Sequence, residues 1–257
     1  MKLSALITIH DRDISVMQTV FESMRDQTHD EFVIVLDRTP NALVDFIRTW
    51  WTDDPRTRFV EIDGPKGWRS PVLAWNAGFA AVTGDHLFAF SSETVQKAGN
   101  VERVRAWLER EPKSIVFGKA ECSCGPGGRE VDWGGTAPGN LLVDAAHPRP
   151  LGFIWAGPMA NVRQVGGMDD GFADGLWFDD DDFYFRLWQT GLDFAFDDAI
   201  SGIHLHHERP VLDTRAGQAA IARNQTLILR KHGTVRPISA VQRRVEFGIN
   251  RTIWRHL

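Results

Sequence analysis

Along the first half of the chain, short apolar runs alternate with segments whose apolar positions recur every three to four residues. Residues 3–9 (LSALITI) and 32–36 (FVIVL) are rich in β-branched side chains and too short for helices, which predicts strands buried on both faces. Residues 58–62, 86–90 (HLFAF) and 114–117 continue the series of strands. Between them, Met17, Val20, Phe21 and Met24 fall on one helical face, and residues 43–51, 71–82 and 101–108 are predicted helices. Strands alternating with helices imply βαβ units, a mainly parallel Rossmann-like sheet flanked by helices, and a site at the carboxyl ends of the strands. Asp11, Asp37 and Glu93 all follow predicted strands, so three acids far apart in sequence share one expected location.

The second half is less regular. Residues 122–150 are rich in Gly, Pro and Ala and predict loops or a small antiparallel excursion. Residues 211–232 read as a helix, with Gly233 as its C-cap. Pro237 restarts the chain, and Ile238, Val241, Val245, Ile249 and Ile253 recur at a spacing that predicts a last helix. The expected division is therefore a main domain over residues 1–233 and a helical extension over 234–257. Arg243, Arg244, Arg251 and Arg255 make that extension basic. It either packs its stripe on the parent domain, forms a homodimer contact, or meets an anionic surface.

The densest chemistry is WFDDDDFYFRLWQTG, residues 177–191, where Asp179, Asp180, Asp181 and Asp182 run into an aromatic amphipathic segment. Adjacent carboxylates repel one another, and Trp177, Phe178, Phe183 and Phe185 anchor the run to a core. Carboxylates held at a core edge suit general-base or cation chemistry; the alternative is a helix start with acids that favour the dipole.

The net charge of −5 argues against a general nucleic-acid binder. Ten Trp stand against one Tyr, and indole faces are platforms for sugars and bases as well as core filling. Cys122 and Cys124 are too few for a structural zinc site or a disulfide framework, which suits a reducing, cytoplasmic setting. No apolar run is long enough for a membrane span, and the N-terminal run reads as a strand rather than a signal peptide.

Several pieces occur in a telling order: SALITIHDRD, QTHDEFVIVLDRTPN, WNAGFAAVTGDHLFAFSSE, VGGMDDGF, the acid run, HLHHERP and NQTLILRKHG. Together they resemble the family 2 glycosyltransferases of the GT-A fold over residues 3–233. The resemblance implies an α/β GT-A fold with C-terminal helices, and an inverting hexosyl transfer from a nucleotide-sugar. A UDP-sugar is the expected donor, with Mn²⁺ or Mg²⁺ as cofactor. It places Thr8 and Asp37 in the nucleoside pocket, with Asp37 accepting a hydrogen bond from the base. Lys66 or Arg69 would reach the nucleotide, and His10, Asp11, Asn76, Ser91 and Ser92 complete the donor side. Trp155 and Trp177 stack on sugar or base in this reading, with core packing as the alternative.

Where the family carries Asp-x-Asp for the metal, this chain has Ser91, Ser92 and Glu93, so only the last carboxylate is kept. The HLxH pattern points to His204 and His207 as further metal ligands. With Arg186 fixing the register, Asp179 matches the family's Glu, Asp180 the catalytic Asp, and Asp182 a second Asp that caps or holds loops. Asp180 is then the general base toward the hydroxyl of a saccharide, lipid carrier, protein or modified nucleobase. The rival reading, drawn from the lost first Asp, is a non-catalytic nucleotide-sugar or glycan-binding module. A nucleotidyltransferase fits poorly, because HDRDISVM is not Gly-rich.

Overall fold

The computed structural model describes residues 1–64, 70–123, 141–207 and 210–257. The parallel half follows the apolar alternation closely. Strands β1 (Leu3–Ile9), β2 (Glu31–Asp37), β3 (Thr57–Ile62) and β4 (His86–Phe90) alternate with helices α1 (Ile14–Arg25), α2 (Asn41–Trp51) and α3 (Val72–Ala81). β1 pairs in parallel with β2 and β4, and β2 with β3, so their carboxyl ends line up.

The rest of the sheet is mixed. Short β5 (Thr94–Gln96) is followed by α4 (Asn100–Arg110), β6 (Ser114–Ser123) and β7 (Leu141–Val143). Then come β8 (Ile154–Pro158), α5 (Met159–Gln164), α6 (Asp179–Gln189), β9 (Asp193–Leu205) and α7 (Arg215–His232). The chain ends in β10 (Arg244–Gly248) and β11 (Arg251–Arg255). The sheet order is β10-β11-β9-β6-β8-β4-β1-β2-β3, with β5 on β9 and β7 on β6. β8 lies antiparallel between β4 and β6, joining the two halves. The antiparallel excursion expected after residue 122 is β7 on β6. Cys122 is half-buried on β6, whereas Cys124 lies outside the described residues.

Alternate side chains of the central strands feed two cores. Ala5, Ile7, Phe32 and Ile34 pack with Phe21, Ile47 and Trp107 of α1, α2 and α4. Leu6, Val33 and Val35 pack with Trp75, Phe79, Phe183, Tyr184 and Ile228 of α3, α6 and α7. Helix α3 reaches the sheet through Gly78, where a Cβ would lie 2.6 Å from Leu6 Cδ1. Gly233 ends α7 at φ 72°, the left-handed C-cap that its sequence position predicts.

The last helix expected over residues 237–257 is corrected by the structure. One 3₁₀ turn, Pro237–Ala240, leads into the β10–β11 hairpin, and β11 pairs with β9. A helix would bury Gly248 in its interior at a cost of about 1 kcal/mol, whereas Asn250 accepts φ 53° and closes a two-residue turn. The stripe does not share a face: Ile253 is buried, while Val245 and Ile249 are exposed. Nor do the arginines form an open basic patch. Arg255 pairs with Glu111, Asp193 and Glu246, Arg244 with Glu246, and Arg243 lies over Trp254.

Candidate active site

Three groups of side chains gather at the carboxyl end of the parallel strands. The first joins β1 to β2. His10 Nδ1 donates to the Asp37 carbonyl at 2.6 Å, and Thr39 Oγ1 donates to the Ile9 carbonyl at 2.8 Å. Thr8 is nearly buried on β1, and Asp37 is buried with its carboxylate held by Arg38 Nε at 2.9 Å. Arg38 sits at φ 52°, which folds its guanidinium back onto the preceding acid. Asp11 is exposed beside this group, while Lys66 and Arg69 lie outside the described residues.

The second group centres on Glu93. After β4, Ser91 N–H donates to the Phe153 carbonyl at 3.1 Å and Thr94 N–H donates to the Ser91 carbonyl at 3.0 Å. This tight turn presents Glu93. Pairing of β5 with the end of β9 sets Thr94 opposite His204, and Leu205 N–H donates to the Glu93 carbonyl at 2.8 Å. His204 Nε2 lies 4.0 Å from Glu93 Oε2, and His207 Nε2 lies 3.6 Å from Oε1. One ligand atom from each of Glu93, His204 and His207 falls within 4.8 Å of the others. One carboxylate and two imidazoles suit a divalent transition-metal cation better than Mg²⁺, which favours oxygen ligands alone. The three residues therefore fit a divalent cation. Ser91 turns its hydroxyl to Thr94 Oγ1 at 2.6 Å, and Ser92 is buried. His206 is exposed and outside the group. The Arg12 guanidinium also contacts Glu93 Oε1.

The third group is the acid run, which forms the first turn of α6. Trp177 and Phe178 precede it at φ 63° and 65°, a strained pair of left-handed non-glycine residues. Asn224 of α7 holds that turn: its Nδ2 donates to the carbonyls of Phe172 and Trp177, both at 3.1 Å. Asp179 accepts from Ser70 Oγ at 2.8 Å, and Asp180 from Gly152 N–H at 3.1 Å. Burial, reinforced by the charges of Asp179 and Asp181, pushes the Asp180 carboxyl up to about 8 against the Gly152 hydrogen bond. Asp181 is raised to about 6 by burial, with Arg236 and Arg149 opposing. Tyr184 follows one turn after Asp180. A Cβ on Gly152 would lie 3.3 Å from both Asp180 oxygens and 3.5 Å from the Tyr184 hydroxyl.

Gly152 and Phe153 connect the second and third groups. Gly152 donates to Asp180, and the Phe153 ring packs edge-on against His204 with centroids 5.0 Å apart.

Three expected site residues are placed elsewhere. Asp182 is fully buried and bound by Arg186, Lys231 and His232 at 2.6–2.8 Å. Burial raises its carboxyl, but these partners more than offset that and hold it below the usual range. Such a group anchors α7 to α6 and does not exchange protons with a substrate. Asn76 spends its amide on Met168 and Asp170, with Nδ2 and Oδ1 bonds of 2.7–2.9 Å, and pins the loop after α5. Trp155 is 2% exposed and packs between Phe79, Phe183 and Tyr184, so it is core. Trp177, at 41% exposure, keeps an open indole beside the acids. Sequence reasoning missed Arg12, Ser70, Gly152, Tyr184 and Asn224. Tyr184 carried one signal, its helical i+4 spacing from Asp180.

The mixed sheet, the acid at the end of β4 and the acidic helix start define a GT-A glycosyltransferase fold. Residues 4–131 match the family model described as Glycosyl transferase family 2, and the chain belongs to that family. Among solved structures, the chain resembles S. aureus TarS 1-349 at 12% identity and TM-score 0.56, covering 79% of this chain and 58% of that one. It resembles the mannosyltransferase PcManGT from Pyrobaculum calidifontis, in complex with GDP-Man and Mn²⁺, at 13% identity and TM-score 0.59 over 89% and 64%. GalNAc-T7 with UDP, GalNAc and Mn²⁺ is similar at 12% identity and TM-score 0.61 over 88% and 47%. The chain thus spans less than two thirds of each of these proteins. No curated protein matches it. Among the described residues, no helix is long and apolar enough to cross a membrane.

Proposed function

We propose that the protein transfers a sugar from a nucleotide-sugar to an acceptor hydroxyl with inversion, Asp180 being the general base. The observation that carries this reading is the Gly152–Phe153 contact, which holds a carboxylate of raised proton affinity beside a cation-binding group. A base of this kind takes the acceptor's proton as its oxygen attacks the anomeric carbon. Asp179 and Ser70 brace the base, and Trp177 offers a stacking face for the sugar.

On the donor side, Thr8, His10 and Asp37 form the nucleoside pocket, Asp37 accepting from the base of a UDP-sugar. Asp11, Ser91 and Ser92 line the approach to the diphosphate. Glu93, His204 and His207 would hold Mn²⁺, which when bound neutralises the charge developing on the departing diphosphate. That two solved relatives are complexes with a nucleotide or nucleotide-sugar and Mn²⁺ supports this assignment. GDP- and dTDP-sugars are the alternative donors.

The decisive experiment measures donor binding and turnover, hydrolysis included, for the wild type and Asp180→Asn. Retained UDP binding with lost turnover supports the assignment; unchanged turnover moves the base to Asp179. The loss of the first acid at Ser91 favours a second reading, a nucleotide-sugar-binding module without catalysis. Tight binding with no turnover in the wild type, across donors and acceptors, would select it.

A further inference from the structure

Among the described residues, two kinds of partner face the Glu93 carboxylate. On one side lie His204 and His207, the imidazoles that complete a metal-binding group. On the other lies Arg12, whose Nη2 contacts Oε1, the same oxygen that faces His207 Nε2 at 3.6 Å. We propose that Arg12 is a built-in competitor for the cation site, released when a nucleoside diphosphate binds. The inference rests on the metal reading given above.

The argument is one of charge and position. A cation held by Glu93, His204 and His207 would lie against the Glu93 carboxylate, and therefore next to any group touching Oε1. A guanidinium there repels it, so Arg12 and the metal are alternative partners of one oxygen. Of the two side chains in the ion pair, Glu93 is 5% exposed and cannot leave, whereas Arg12 is 28% exposed and can. Arg12 is also loosely held. Its Nη1 donates to the neighbouring Asp11 carbonyl at 2.6 Å, and its buried Nε has no hydrogen-bond partner among the described residues.

Arg12 sits on the loop after β1, next to the proposed nucleoside pocket. A diphosphate bound there offers the guanidinium a stronger, charge-assisted partner than a carboxylate shared with a metal. Metal affinity is then low for the protein alone and rises with nucleotide. By linkage the metal raises nucleotide affinity by the same factor.

The test is a titration of the full chain with Mn²⁺, followed by electron paramagnetic resonance of the free ion, with and without UDP. Arg12→Gln should bind Mn²⁺ alone on the order of tenfold more tightly than the wild type, and UDP should enhance its affinity by a correspondingly smaller factor. Arg12→Lys, which keeps the charge, should stay close to the wild type. An unchanged or weaker Mn²⁺ affinity in Arg12→Gln, in a wild type that binds the ion, overturns the role of Arg12 and leaves the metal site standing. Absence of Mn²⁺ binding in both proteins, with and without UDP, overturns the metal reading and this inference together.

Discussion

At the scale of single residues, Asp180 is where function and stability pull against each other. Its carboxyl is pushed up to about 8 from 3.8 by burial and the neighbouring acids, so between these values the folded protein holds a proton that the unfolded chain releases. Stability therefore falls as pH rises through that window, while the ionised fraction of the proposed base grows. Asp180→Asn should abolish most transfer, by about 10²–10⁴-fold, and leave UDP affinity intact. The same variant should melt higher than the wild type at pH 8, the gap closing toward pH 4, which calorimetry across pH checks. The wild-type transfer rate should climb toward pH 8. Asn224 makes a second test. Its replacement by Ala removes the bonds that hold the left-handed turn at Trp177 and Phe178, at a cost of about 1–3 kcal/mol and with turnover reduced more than UDP binding. Chemical denaturation and kinetics of the variant decide whether turn and base are coupled. The gathering of Glu93, His204 and His207 and the place of Asp180 at a helix start were legible because acids and imidazoles at strand and helix ends stand out by residue type. Gly152 and Ser70 were not, since what matters there is a backbone N–H and a hydroxyl brought in by tertiary contacts.

Among the elements, those with a regular apolar period were legible and those built by long-range pairing were not. Residues 32–36 are apolar throughout and could only be a buried strand. The last segment misled because five apolar residues at near-helical spacing are shared between a 3₁₀ turn, a hairpin and its tip. The partner of Ile253 is Ala195 on β9, 58 residues back. A pattern of period four cannot report a pairing at that distance. β11 is consequently part of the core, while β10 stays largely exposed. Trp254→Ala should cost about 3–5 kcal/mol, whereas Phe247→Ser at the exposed tip should stay within about 0.5 kcal/mol. Urea titrations of both variants test this contrast, and equal costs would contradict the packing described.

For the molecule as a whole, β8 joins the parallel half to the rest of the sheet, lying antiparallel between β4 and β6. The parallel half contributes the proposed nucleoside pocket and Glu93; the other half supplies both histidines and Asp180. The alternation of strands and helices revealed the first half and its ligand-binding end. The junction stayed hidden because β8 carries no distinctive pattern beyond five residues. Ligand binding should therefore tie the halves together. UDP with Mn²⁺ at 100 times its dissociation constant should stabilise the protein by about 2.7 kcal/mol, seen as a thermal shift. Chelation should remove most of that shift, and Glu93→Ala should make the protein insensitive to the metal. A shift identical with and without chelator would count against the Glu93 site.

The anchoring of Asp182 has a consequence for the order in which the protein is made. Its carboxylate, sealed in the first turn of α6, is neutralised by Lys231 and His232, fifty residues later in synthesis. The strained turn before it waits on Asn224 of the same late helix. While the ribosome still holds α7, the nascent chain can assemble its parallel strands, but Asp182 lacks Lys231 and His232 and the turn before it lacks Asn224. On the proposed mechanism, competence waits for α7 to emerge and dock, and a ribosome-bound chain stalled before residue 215 should be folded in part and inert.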